Sequence, residues 1–210
     1  MDDTSMDEIV GLLSKISPKT LEDLTRQYPT HWKLFRPGKI LGKGIPAQIL
    51  LTATGQSLKQ ILPWADGAIE RTRGKLQVAR FLELIGSCIA LVGSGTAVIF
   101  ASMPGAQART VVAAALAVSG NLCVAGANYF RGSLLGGKHT LIEAYSTLMR
   151  TRPELGFLNS QITALLEIGL ADASDRDVKT LVNRTQLLCK EIYAATKDIP
   201  GSEPVETDYR

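Results

Sequence analysis

The chain has 210 residues, 45% apolar and 20% charged, with a formal net charge of +3 at pH 7. That is enough for one domain with a sizeable core, and the mean hydropathy of +0.10 hides an apolar content concentrated in the middle quarter. Cys88, Cys123 and Cys189 are three in number without paired spacing, and His31 and His139 are the only histidines. These numbers imply neither a disulfide framework nor a metal site.

The first residues, from Met1-Asp2-Asp3 to Glu8, open acidic and lack a basic region ahead of an apolar one, so no signal peptide is expected. Ile9, Val10, Leu12, Leu13 and Ile16 fall at helical spacing and predict a short amphipathic helix. Ser17-Pro18 reads as a cap followed by a first-turn proline, with a second helix through Leu21 and Leu24. Pro29, Pro37, Gly38, Gly42, Gly44 and Pro46 predict a loop or a very short element over His31–Gly44. A helix is expected from Ala47 to Ile61, with Pro63 ending it or starting the next, and another from Ala65 to Arg80.

Two charge-free stretches follow, Leu84–Ala108 with 25 residues and Thr110–Phe130 with 21, parted only by Arg109. About 20 residues of helix cross the hydrocarbon core of a bilayer, so both are long enough. The link between them carries the breaker pair Pro104-Gly105, which predicts a transmembrane hairpin. A helical pair buried in a globular protein is the competing reading, but such helices seldom run so long without a charged or strongly polar rim. Arg71, Arg73, Lys75 and Arg80 precede the first stretch, and Arg131 and Lys138 follow the second. Basic flanks stay on the cytoplasmic side, so both termini are expected there, at an inner membrane, with the Pro-Gly turn across it.

Beyond the hairpin, Gly132, Gly136 and Gly137 predict a flexible joint. Leu141, Ile142, Tyr145, Leu148 and Met149 form one helical face, which Pro153 is expected to close. Leu155, Leu158, Ile162, Leu165, Leu166 and Leu170 form a second. Val178, Val182, Thr185, Cys189 and Ile192, in alternating steps of four and three, make a third with a seam suited to packing on another helix. Pro200, Gly201 and Pro204 mark 200–210 as a disordered tail. No segment shows strand alternation. The expected fold is an all-α membrane protein: 1–80 an N-terminal cytoplasmic helical region, 81–131 the hairpin, 132–199 C-terminal cytoplasmic helices and 200–210 the tail, with both flanks forming a cytoplasmic body.

The hairpin is made mainly of Ala, Gly, Val and Ser, and small residues let helices approach closely in lipid, where packing supplies the association energy. Gly86, Ala90, Gly93 and Ala97 on the first helix, with Ala113, Ala117 and Gly120 on the second, are the expected helix-packing residues. That packing lies either within one chain or between subunits. Asn121 and Asn128, seven apart, are costly in hydrocarbon unless hydrogen-bonded; with Ser94, Thr96 and Ser119 they are the expected interhelix or pore-lining polar groups. Trp32, Lys33, Phe35, Arg36, Lys39 and Lys43 combine charge and rings and suit an anionic bilayer surface. Most such clusters are solvated surface, and no nucleic-acid-reading element is present.

Catalysis finds little support. Gly42-Lys43-Gly44 and Arg131–Lys138 are glycine-rich near lysines, but neither has the spacing of a phosphate loop, and His139-Thr140 is a near miss. No catalytic residue, cofactor or metal is expected. Asn183-Arg184-Thr185 matches a glycosylation triplet, which is moot in a cytoplasmic body.

Two close membrane helices with a basic entry, then Lys138-His139-Thr140-Leu141-Ile142-Glu143-Ala144-Tyr145-Ser146-Thr147-Leu148 and further helices, resemble the bacterial SLATT group of two-helix membrane proteins. The likeness is architectural, covers about Lys75 to Pro200, and leaves a longer N-terminal region and no sensor domain. It implies an oligomerising effector that permeabilises the inner membrane when triggered by a partner, in anti-phage defence. The residues themselves support a membrane protein that associates through its hairpin. The rivals are a membrane-anchored helical adaptor, whose partner would read Val178, Val182, Cys189 and Ile192, and a soluble protein that inserts its hairpin on activation. The expected partners are the bilayer, further copies of the chain and a separate sensor or regulatory protein.

Overall fold

A computed structural model describes residues 6–36, 46–131, 140–168 and 174–197. Lys39, Lys43, Gly132, Gly136, Gly137, His139 and the 200–210 tail therefore lie outside the described residues. All regular structure in the described residues is helical: α1 (Asp7–Ile16), α2 (Pro18–Gln27), a 3-10 helix (Pro29–Phe35), α3 (Ala47–Ala101), α4 (Gln107–Arg131), α5 (Leu141–Ile168) and α6 (Asp175–Thr196). The chain divides into two compact units, one of Met1–Glu70 with Tyr145–Arg210, the other Arg71–Ala144. The boundaries fall at 70/71 and 144/145, inside α3 and α5.

Two prolines expected to interrupt helices do not. Pro63 lies inside α3 and Pro153 inside α5. A proline inside a helix removes one backbone hydrogen bond and crowds the preceding turn, at a cost of about 3 kcal/mol. Both rings are exposed, while their helices are held on either side by buried neighbours: Leu58, Ile61 and Ala65 around the first, Thr151 and Leu155 around the second. Tertiary packing offsets the local penalty. At the start of α5, the Thr140 hydroxyl accepts from the Glu143 backbone N–H at 3.2 Å, and the Glu143 carboxylate accepts from the Thr140 N–H at 3.0 Å. This reciprocal cap satisfies two N-terminal donors and gives Thr140 a structural role.

The first unit has one hydrophobic core assembled from both ends of the chain. Ile9 and Leu13 of α1, Leu51, Leu58 and Ile61 of α3, Leu148, Leu155 and Ile162 of α5, and Val182 and Ile192 of α6 belong to a single cluster. Gly55 permits a close approach, since a Cβ there would stand 3.2 Å from Ile162 Cγ2. Ion pairs tie the rim: Arg150 with Glu191 at 2.9 Å, Arg184 Nε with Glu154 at 2.6 Å, and Arg152 with Asp66.

The Arg152–Asp66 pair is bidentate, with Nε and Nη2 donating to the two carboxylate oxygens at 2.7 and 2.8 Å. Those hydrogen bonds hold the Asp66 carboxyl below its usual range, aided by the guanidinium charge and opposed by desolvation. A depressed carboxylate pKa contributes stability above the unfolded value, and the contribution is lost as pH falls through the folded one. Arg152→Ala is expected to cost about 1 kcal/mol or less at pH 7, since both side chains are partly exposed. In urea denaturation the difference should shrink toward zero below about pH 4; a difference independent of pH would assign the effect to packing instead of charge.

Candidate functional site

In the second unit, α3 and α4 touch through their backbones. An added Cβ at Gly86 would lie 2.7 Å from the Gly120 carbonyl oxygen and 2.8 Å from Cys123 Cβ. One at Gly93 would lie 2.5 Å from the Ala117 nitrogen and 2.9 Å from the Ala113 carbonyl oxygen, and one at Gly120 would strike the backbone of Ala90 and Gly86. Following α3 forward therefore follows α4 backward. The reversal is made at Met103–Ala106, where the Ala106 N–H donates to the Met103 carbonyl at 3.4 Å. Gly105 there has φ +80°, the value the second central position of a proline-first turn demands and glycine adopts without strain.

The packing residues expected from sequence are thus brought together inside one chain. Gly86, Gly93, Ala113 and Gly120 are buried, and Ala90, Ala97 and Ala117 half-buried. By contrast, a Cβ at Gly95 or Gly126 meets nothing within 4 Å.

With small residues facing inward, bulk faces outward. Leu91 is 75% exposed, Val98 73%, Val111 68% and Leu122 67%. Only 11% of the most apolar window of α3 and 17% of that of α4 is buried. The two helices are long and apolar enough to cross a membrane. A surface helix of a water-soluble protein carries charge on its outward side; these two carry aliphatic side chains there.

The polar residues separate. Ser94 donates to its own helix at the Leu91 carbonyl (3.1 Å), Thr96 to Val92 (2.8 Å) and Ser119 to Ala115 (2.9 Å). Hydroxyls can satisfy themselves this way inside a helix; an amide needs an outside partner. Asn121 and Asn128 are exposed on α4. Thr96 instead lines a groove of about 420 Å³ with Val92, Phe100, Arg109, Val112 and Leu116.

The other expected sites are placed differently. Trp32 is exposed with the Arg36 guanidinium 4.4 Å from its ring centre, and Lys33 is exposed. Phe35, expected at a membrane surface, is only 3% exposed and packs in the first unit's core, its ring 6.3 Å from that of Tyr28. The ring is more stable buried among Leu34 and its neighbours than lying on the surface. Val178, Val182, Cys189 and Ile192 are each fully buried, so the α6 seam is consumed within the chain's own core. Burial pushes the Cys189 thiol up to about 12. No group of His, Cys, Asp and Glu able to hold a metal occurs among the described residues.

Set against protein-family models, characterised proteins and solved structures, the chain matches none. The helix pair itself is the strongest site. Gly93→Val is expected to force α3 and α4 apart and lower the thermal midpoint of the detergent-solubilised protein, while Gly95→Val leaves it unchanged. Equal effects of the two would contradict the close approach. Overpacking of this kind costs about 1–3 kcal/mol.

Proposed function

We propose that the chain is an integral membrane protein whose α3–α4 pair forms a transmembrane hairpin and assembles into an effector that permeabilises the bacterial inner membrane. The observation that carries this reading is the inverted packing of the pair, with glycine and alanine inside and leucine and valine outside. Lipid is the solvent that favours that arrangement, because packing of small residues is what associates helices there. The basic residues Arg71, Arg73, Lys75 and Arg80 before the span and Arg131 and Lys138 after it favour cytoplasmic termini. The exposure of the apolar faces favours constitutive insertion over a soluble form that keeps its hairpin sheathed.

The mechanism is physical. Assembly opens a polar path, with Asn121 at the contact between copies and nearby hydroxyls supplying its hydrophilicity, and the helical body controls assembly in response to a partner protein. The resemblance to the SLATT group supplies the setting of anti-phage defence. A second reading, a membrane-tethered adaptor, is favoured by one fact: the Gly86–Gly93–Gly120 seam is used within the chain, as a plain anchor requires.

The two readings part in reconstituted liposomes. The effector reading expects the protein to resist alkaline carbonate extraction and to release an encapsulated dye, with Asn121→Leu cutting the leakage rate. An adaptor expects carbonate resistance with no leakage at any protein density. Topology is checked separately. Cysteines placed at 104–107 should label only from the periplasmic face, and labelling from the cytoplasmic face would contradict the orientation.

A further inference from the structure

The buried seam between α3 and α4 repeats every seven residues. Ala79, Gly86 and Gly93 are its buried positions on α3, and Ala113, Gly120 and Ala127 on α4. A seven-residue repeat keeps one stripe of a helix facing its neighbour, so the positions one step to either side define the two flanks of the pair.

One step forward rotates each helix by about 100° in the same sense viewed from its own N-terminus. For two helices running in opposite directions, equal rotations of this kind emerge on the same side of the pair. The forward positions are Arg80, Ser87 and Ser94 on α3 and Ala114, Asn121 and Asn128 on α4, and all six are exposed. The backward positions are Val78, Ile85 and Val92, with Val112, Ser119 and Gly126. Val92 and Val112 both line the apolar groove with Phe100 and Leu116, which independently places the two backward stripes on one side. The pair is therefore two-faced: beyond Arg80 at its end, one side carries only serine, alanine and the two amides, while the other carries Val78, Ile85, Val92 and Val112 with Ser119 and Gly126.

Depth matches across the polar side. Gly86 meets Gly120 and Gly93 meets Ala113, so Ser87 stands level with Asn121 and Ser94 with Ala114. An amide carries donors and an acceptor together, and among the described residues neither Asn121 nor Asn128 makes a side-chain hydrogen bond that closes this need. Ser87, Ser94 and Ala114 beside them carry too little bulk to hold a neighbouring backbone away.

We infer that this side of the pair is where a second copy of the chain packs. Copies related by a two-fold axis along the membrane normal bring Asn121 to Asn121 at the same depth, and each amide supplies what the other lacks. This is the self-complementarity that an interface between identical surfaces requires. The aliphatic side, with Ile85, Val92 and Val112, then faces lipid. The inference rests on the membrane reading above and names the partner of its hairpin.

Disulfide mapping in native membranes tests it. Cys88 and Cys123 are replaced by alanine, while Cys189 is retained because its thiol is buried. Single cysteines are then introduced on α4, which lies at the two-fold axis, by Ala114→Cys or Asn128→Cys on the polar side and by Val112→Cys or Ser119→Cys on the other, and oxidised with copper phenanthroline. Dimers are expected from the first pair and not the second. Adding Asn121→Leu to the Ala114→Cys protein should cut dimer yield by about tenfold, as loss of one interhelical hydrogen bond in lipid implies, whereas Asn121→Gln should retain most of it. Equal yields from both sides, dimers only from Val112 and Ser119, or no dimers at all would overturn the inference. Alkaline carbonate extraction of the same membranes separates the two failures. Protein that stays with the membrane but shows no side preference refutes this interface alone, and protein that washes out refutes the membrane reading beneath it.

Discussion

Direct backbone contact between α3 and α4 is the constraint from which the rest of the second unit follows. At Gly86, Gly93 and Gly120 there is no room for a Cβ on the facing helix's backbone. At these levels the large side chains are consequently turned away from the seam, and Leu91, Val98, Val111 and Leu122 end up outside. In water that arrangement exposes apolar surface at about 25 cal/mol for each Å². In a bilayer the same surface costs nothing, and the tight seam supplies the cohesion that lipid does not. The composition of the pair thus suits a bilayer better than water.

The first unit is built differently. Most of its leucines, isoleucines and valines pack in one core, its ion pairs sit at the rim, and that core takes residues from both ends of the chain. The α6 seam that looks available in the sequence is spent on that core. The unit's exterior presents Trp32, Lys33 and Arg36 and also the exposed apolar side chains Phe157 and Leu187.

Much of this was legible in the residues. The charge-free lengths, the Pro104-Gly105 turn, the small-residue pattern and the all-helical character can each be read locally, because each depends on neighbours a few positions away. What could not be read depends on distant partners. Pro63 and Pro153 look like helix ends until the packing on both sides of each is known. Phe35 looks like a surface anchor until a core closes over it, and Asp66 finds Arg152 86 residues away. Glycine and alanine at steps of four and three, as in Gly86, Ala90, Gly93 and Ala97, are visible by eye. The seven-residue repeat through Ala79, Gly86 and Gly93, which decides that Ser87 and Asn121 share a side while Thr96 and Ser119 do not join them, emerges only once the facing residues are fixed.

The central claim is that the outward aliphatic side chains of α3 and α4 are immersed in hydrocarbon. Nitroxides attached at Leu91 and Val118, in protein reconstituted into lipid nanodiscs, measure this through their collision rates with oxygen and with a water-soluble nickel chelate. Oxygen partitions into acyl chains and the chelate stays in water. The account predicts high oxygen and low chelate accessibility at both sites, with the reverse at a control label on Lys33. Chelate accessibility at Leu91 and Val118 equal to that at Lys33 would contradict it.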